Sequence, residues 1–359
     1  MAAFPDFENR LNAFTELGYF LARYLNGKSS GFIRTVKEID PDRFDAAIQS
    51  ASQANPWFTR ENIKFALQYW ADSLSEKKLR TWTAEYESLL KNSKPARVAV
   101  IMAGNIPLVG MHDFLCTLIA GKSFLGKLSG DDNKLLPAIA GVLTEIEPTF
   151  HDHIIFSENK KIEGYDAVIA TGSNNSARYF EYYFSHVPSI IRRNRNGIAV
   201  LTGNESPEEL AGLGEDICRY FGLGCRSVSK VFVPEGYDPA LLLKACEPFK
   251  EQLFSHHKYM NNYTYQKTIL MMNQIACYDN DVLLVAENTG YSSPVGVVYY
   301  EHYHETEKLL EKLTLENDLI QCIVSSMKIP GATAPGRAQK PALQDFADGV
   351  NTLEFLFRL

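Results

Sequence analysis

No apolar run in this 359-residue chain reaches the length of a bilayer span; the longest are short and interrupted. Membrane insertion is therefore not expected. Positive charge is not in excess either. Thirty-six Lys and Arg stand against 43 Asp and Glu, a formal net charge of -7, so neither nucleic acid nor an anionic membrane is an expected partner. Cysteine is sparse, with six residues at 116, 218, 225, 246, 277 and 322 and no CxxC pair. Neither a zinc ribbon nor a disulfide framework is suggested, and reduced thiols in a cytoplasmic protein are the simplest reading. The opening MAAFPDFENRLNAF carries acids early and has no signal-peptide core. The chain has no GxxxxGK[ST] loop, no GxSxG elbow, no internal repeat and no low-complexity tract. His151 and His153, His256 and His257, and His302 and His304 lack a familiar ligand spacing, so no metal is expected.

What is present is an ordinary globular composition, 45% hydrophobic and 22% charged. The length allows a large core divided between two lobes. Residues 1–94 read as an N-terminal helical region. RLNAFTELGYFLARYL and RENIKFALQYWADSLS place apolar residues at helical spacing, Asn55-Pro56 interrupts the pattern, and Thr59 is a candidate N-cap. Lys94-Pro95 marks a boundary. From 95 to 203 short apolar runs alternate with helical stretches: RVAVIMAG (97–104), SFLGKLS (123–129), HIIFSE (153–158), DAVIATG (166–172) and GIAVLTG (197–203). Such alternation implies an α/β fold with a largely parallel sheet, a Rossmann-type nucleotide-binding lobe whose ligand lies beyond the carboxyl ends of the strands. Residues 204–330 read as a second α/β lobe. It opens with a helix whose Ser206 and Glu209 form a capping box, and it continues through the strands SKVFVPEG and VGVVYYE. The tail, 331–359, is rich in Gly, Ala and Pro up to Arg337 and is expected to pack back on the body.

Cys225 is the most informative position. It follows a helix and the turn Gly222-Leu223-Gly224 and immediately precedes a strand. Glycine lets the backbone bring a thiol close to a ligand, and a turn N–H can serve an oxyanion; a buried core cysteine is an equally good account of the local sequence. Asn105 ends the first strand of the nucleotide lobe, where its amide can donate to an oxyanion or simply cap a turn. Lys127 follows the second strand and can reach a ribose hydroxyl or a phosphate, although surface lysines are common. Gly172-Ser173 follows the fourth strand and opens a helix, a place that accepts anionic groups and is equally a common turn. The basic run Arg192-Arg193-Asn194-Arg195 is too short for nucleic acid, but its charge suits a phosphorylated small molecule.

Taken in order, NPWFTREN, MAGNIPLVG, GKSFLGKLSG, YDAVIATGSNNSARYF, FGLGCRSVSKVFVPEG, SSPVG and DGVNTLEFLFRL resemble the long-chain acyl-CoA reductase family of the aldehyde dehydrogenase superfamily. The resemblance runs from about residue 50 to the end. It implies an aldehyde dehydrogenase-like fold and NADPH- or NADH-dependent reduction of an acyl-CoA to an aldehyde; a homo-oligomer is compatible with it. Asn105 matches the superfamily's oxyanion asparagine in PWN-x-P, Lys127 the lysine of KPSE, Gly172 and Ser173 the glycine-serine of FTGS, and Cys225 the catalytic cysteine of GQxC. Glu287, ahead of Ser293-Pro294-Val295, resembles the acid that touches the nicotinamide ribose.

The departures also carry information. Gly130 replaces the acid that closes KPSE, which is compatible with a phosphorylated ribose and hence with NADPH. Hydrolytic members carry a water-activating glutamate in ELGG, whereas the corresponding stretch here, Arg192 through Asn204, contains no acid. Glu205 and Glu208 follow at a helix start and are better explained by capping. An acyl-enzyme at Cys225 then survives long enough to be reduced. A thioester suits such a site, because attacking and departing thiols have similar acidities and an ordinary thiol, pKa about 8.5, offers a few per cent thiolate at neutral pH. The alternatives are an acyl-phosphate reductase, an aldehyde dehydrogenase of the same fold, and a binding protein that kept the fold without activity.

Overall fold

The computed structural model of the chain describes residues 4–27, 41–158 and 161–359. The part of the expected helical region at 28–40 lies outside them. The chain forms two compact units, residues 1–193 with 342–359, and residues 194–341.

The first unit opens with helices α1 (Phe7–Leu25), α2 (Pro41–Ala54), α3 (Arg60–Ser73), α4 (Glu76–Thr83) and α5 (Glu87–Lys91). Their caps follow sequence chemistry. Asp6 accepts the Asn9 N–H at 2.8 Å to start α1, and Thr59 accepts the Asn62 N–H at 3.3 Å to start α3. In α1 the stripe Leu11, Phe14, Leu17 and Leu21 is fully buried, as the helical period requires. Then come β1 (Arg97–Ile101), α6 (Met111–Ile119), β2 (Ser123–Lys127), α7 (Leu135–Ile146), β3 (Ile154–Phe156), β4 (Ala167–Thr171), α8 (Asn174–Tyr183) and β5 (Ser189–Arg192). The five strands are parallel, in the order β3-β2-β1-β4-β5. Val98, Ala99 and Val100 of β1 and Ala167 to Ala170 of β4 are buried, as expected of a parallel sheet covered on both faces. The chain steps outward from β1 to β3 on one side and from β4 to β5 on the other. The order therefore reverses between β1 and β4, and the loops leaving those strands border the crevice where such sheets bind ligands.

The second unit contains β6 (Asn196–Val200), α9 (Pro207–Cys218), β7 (Val228–Pro234), α10 (Ala240–Cys246), α11 (Lys250–Ser255), α12 (His257–Met272), β8 (Cys277–Asp279), β9 (Leu284–Glu287), β10 (Val297–Tyr303), α13 (Thr306–Leu315) and β11 (Ile320–Val324). Its sheet order is β11-β6-β7-β10-β9-β8, parallel except for β8 against β9. The capping box of Ser206 and Glu209 is present at the start of α9. The chain then returns to the first unit as α14 (Thr352–Phe357), where the Arg192 guanidinium donates to the Thr352 hydroxyl at 3.2 Å.

Two boundaries differ from the sequence reading. GIAVLTG, grouped above with the nucleotide lobe, supplies β6 and pairs with β7 and β11 of the second sheet. The strand of the first sheet that the reading missed is β5, in VPSIIRR, too short to stand out as an apolar run. Likewise the tail divides, 331–341 belonging to the second unit and 342–359 to the first. No described helix is long and apolar enough to cross a membrane.

Candidate active site

In the first unit, the chain leaves β1 into a loop carrying Asn105, which is exposed. The loop is held from behind. Gly104 packs so closely on the next loop that a Cβ there would come within 2.6 Å of the Ser129 hydroxyl. Leu108 adopts a left-handed backbone, φ 59°, and donates its N–H to Asp132 Oδ2 at 3.2 Å, while Asp132 Oδ1 accepts from Leu135 at 3.4 Å. Burial pushes the Asp132 pKa up, against the pull of those N–H groups. A bulky residue at positive φ costs of order 1–2 kcal/mol and persists where its surroundings over-determine it. Asn55, in NPWF, donates to the Asp131 carbonyl at 3.2 Å and ties the same loop to the start of α3.

Lys127 ends β2, half-buried, in register with Ile101. Gly172 follows β4. Its N–H donates to the Arg192 carbonyl at 3.3 Å, and a Cβ there would press on Ser176 at 2.8 Å and Phe180 at 2.9 Å. Ser173 is exposed and is the N-cap of α8, accepting the Ser176 N–H at 3.2 Å. Asn105, Lys127 and Gly172-Ser173 thus share the carboxyl edge of one parallel sheet.

The basic run does not form a phosphate site. Arg192 is buried in a bidentate pair with Asp113, at 2.5 and 2.9 Å. Arg193 pairs with Glu181, and Arg195 donates to the carbonyls of Asn317 and Ile320. Arg192 and Arg195 are thereby taken up by the fold, whereas the Arg193 pair is exposed.

In the second unit, α9 gives way to three consecutive left-handed residues, Tyr220 (φ 54°), Phe221 (φ 59°) and Gly222 (φ 73°). Phe221 is held there by burial, its ring 4.2 Å from His256 and 5.9 Å from Tyr259 between centroids. A tight turn follows. Ser227 donates its N–H to the Gly224 carbonyl at 2.9 Å, and Gly224 donates to the Ser227 hydroxyl at 3.2 Å. Cys225 projects from this turn and is exposed, whereas the other five cysteines are buried or half-buried. Burial pushes the thiols of Cys116 and Cys277 up, and a hydrogen bond with Cys246 together with burial pushes Cys218 up.

Because β7, β9 and β10 are parallel, the two ends of this sheet can be distinguished. Cys225 precedes β7 and so lies at the amino end. Ser293 to Gly296 enter β10 at the same end, and they line one cleft with Cys218, Phe221 and Tyr259. Glu287 is exposed at the carboxyl end of β9, so the structure does not bring it to Cys225. Glu205 follows β6, also at the carboxyl end, where its carboxylate accepts from the N–H groups of Thr202 (2.5 Å) and Gly203 (3.1 Å). Four of the six histidines weighed as ligands have hydrogen-bond partners in the protein: His153 with Ser123, His256 with the Tyr259 N–H, His302 with the Pro234 carbonyl and His304 with Glu235.

The model of one protein family, Acyl-CoA reductase (LuxC), matches residues 8–241, well over half of the chain. The chain belongs to that family. This LuxC-family chain is accordingly an oxidoreductase that reduces an acyl-CoA to an aldehyde with a nicotinamide cofactor. Its fold is that of aldehyde dehydrogenases. It superposes on aldehyde dehydrogenase 21 of Physcomitrella patens, solved with the product succinate, with TM-score 0.62, 11% identity, and coverage of 91% of this chain and 74% of that one. An NAD-dependent aldehyde dehydrogenase of Sinorhizobium meliloti gives TM-score 0.62 at 11% identity, covering 96% and 73%. The Mycobacterium tuberculosis aldehyde dehydrogenase complexed with NAD+ gives 0.60 at 10% identity, covering 90% and 74%. No curated protein sequence matches the chain.

The sequence reading missed the buried groups that hold these loops. Asp132 and Asn55 brace the Asn105 loop, and Ser227 closes the Cys225 turn. The only local signal was proximity to a turn residue: Asn55 adjoins Pro56, and Asp132 and Ser227 follow Gly130 and Gly224 by two and three residues.

Proposed function

We propose that the chain reduces its acyl-CoA through a covalent thioester on Cys225. The observation that carries this is the exposure of that one thiol on a closed turn. The donor set of the first unit fits a dinucleotide. Lys127 and the N-terminus of α8 at Ser173 supply positive charge at the carboxyl edge of a parallel sheet, on either side of the switch point. Lys127, Gly172 and Ser173 would hold the cofactor. Glu287 takes no part in this scheme, since it stands at the far end of the sheet from the cysteine.

The Cys225 thiolate attacks the thioester carbonyl, and collapse of the tetrahedral adduct breaks the bond to CoA, which leaves as a thiolate and takes up a proton. Asn105 donates to the oxyanion, a contribution of roughly 3 kcal/mol. When bound, the nicotinamide supplies the hydride that reduces the acyl carbon. Breaking the C–S bond of the resulting thiohemiacetal releases aldehyde and restores the thiol. No carboxylate between Arg192 and Asn204 is available to activate water, and Glu205 is committed to its own turn, so the thioester is protected from hydrolysis. The cofactor in this reading is NADPH. Gly130 leaves out an acid, and a Cβ there would meet nothing within 4 Å. Reduced thiols are in keeping with a cytoplasmic enzyme.

Mass spectrometry of the chain treated with octanoyl-CoA in the absence of reductant tests the reading. One octanoyl group on Cys225 is expected, with one equivalent of CoA released. In the reverse direction, aldehyde and NADP+ should yield acyl-CoA only when CoA is added. An adduct on Cys218 or Cys246, or rapid CoA-independent formation of free acid, would overturn it.

A further inference from the structure

The turn that carries Cys225 is held from outside as well as by its own two hydrogen bonds. Within the second unit, the segment 335–340 crosses it and is bonded to it twice. The Gln339 amide donates to the Ser227 hydroxyl at 3.1 Å, the same oxygen that accepts the Gly224 N–H. Arg226 Nε donates to the Ala338 carbonyl at 2.6 Å. Ser227 is 2% and Gln339 8% exposed, so these bonds are shielded from water, where breaking them is costly.

The same segment is anchored on α9, the helix that delivers the chain to the turn. Asp216, fully buried, accepts the N–H groups of Gly336 at 2.7 Å and Ala338 at 3.0 Å. Lys340 reaches Glu215 at 3.3 Å. Gly212 leaves the space in which Pro335 lies, since a Cβ there would come within 2.7 Å of the Pro335 carbonyl carbon. The segment is therefore a strap, with α9 on one side and the nucleophile turn on the other.

We propose that the 335–340 strap positions the nucleophile, with Gln339 and Arg226 as positioning residues that act through the backbone of the turn. The physical reason lies in the sequence of the turn itself. Gly222 and Gly224 both closely precede Cys225, and Tyr220 to Gly222 are in left-handed conformations, so local propensity alone leaves the thiol's direction open. Ser227 closes the turn, and Gln339 orients the Ser227 hydroxyl. This inference rests on the reading of Cys225 as the acylated residue.

The test uses the full chain and three variants, Gln339→Ala, Ser227→Ala and the double variant. Two quantities are followed: the rate of octanoyl transfer to Cys225, and hydrogen exchange of the backbone amides at 224–228. Each single variant should slow transfer about tenfold, the effect of one buried hydrogen bond. The double variant should be no slower than the slower single one, because both remove the same link. Exchange at 224–228 should accelerate at least tenfold in all three, with cofactor affinity unchanged. Transfer within twofold of the parent in both single variants, or additive losses in the double, would overturn the proposal. Should the parent not acylate Cys225 at all, the functional reading falls, and exchange still decides the strap: unchanged rates at 224–228 refute it and faster rates support it. Arg226→Ala, at a half-buried side chain, carries the same measurements should Gln339→Ala fail to fold.

Discussion

Replacing Asp216 by Asn should change how stability depends on pH. Asp216 is fully buried, and burial pushes its pKa up to about 7 from 3.8, against the pull of the Gly336 and Ala338 N–H groups, with Glu215 adding to the rise and Lys340 opposing it. The folded chain therefore keeps a proton that the unfolded chain has released at moderate pH. The folded pKa is the higher one, so this carboxyl's contribution is fully present below about pH 4 and is lost as pH rises through about 7. Each tenfold difference in proton affinity between the folded and unfolded chain is worth about 1.4 kcal/mol, and the loss between about pH 5 and pH 9 amounts to about 3 kcal/mol. Asn cannot titrate. It retains one acceptor and sets an amide N–H against the other backbone N–H, a cost of roughly 1–2 kcal/mol that does not vary with pH. Urea unfolding of both proteins across this range gives the difference directly. The parent should lose about 3 kcal/mol relative to Asp216→Asn on going from acid to alkaline conditions. A difference independent of pH would refute the reasoning, because it would mean that Asp216 titrates alike in the folded and unfolded chain.

Two further substitutions bear on the first unit. Asn105→Ala should lower turnover by roughly two to three orders of magnitude and leave cofactor affinity nearly unchanged; a loss of only a few-fold, measured by steady-state kinetics, would return Asn105 to a turn-capping role. Lys127→Ala should weaken NADPH binding by roughly tenfold, as expected for losing one charged contact. A dissociation constant unchanged by fluorescence titration would remove Lys127 from the site.

The periodic elements were legible in the sequence because their causes are local. Apolar spacing marked α1 and α3, Thr59 and the Ser206–Glu209 pair marked helix starts, and short apolar runs marked β1, β2, β4, β7 and β10. The short edge strands β5 and β8 carried too little apolar length to be seen. Membership of a sheet was less accessible. GIAVLTG reads like the four runs before it, yet its backbone pairs with β7 and β11, since pairing depends on strands distant in sequence.

Chemistry divides along the same line. The sequence by itself determined that a cysteine follows a glycine-rich turn ahead of a strand, that an asparagine follows the first strand closely, and that no acid lies between Arg192 and Asn204. It could not show that Arg192 is spent on Asp113, 79 residues away, rather than on a phosphate. Nor could it separate Glu287 from Cys225, because strand direction places them at opposite ends of one sheet. Only the tertiary structure joined Gln339 to Ser227 across 112 residues. A hydrogen bond acts over about 3 Å, and the chain separation of its partners leaves no trace in the local pattern of either.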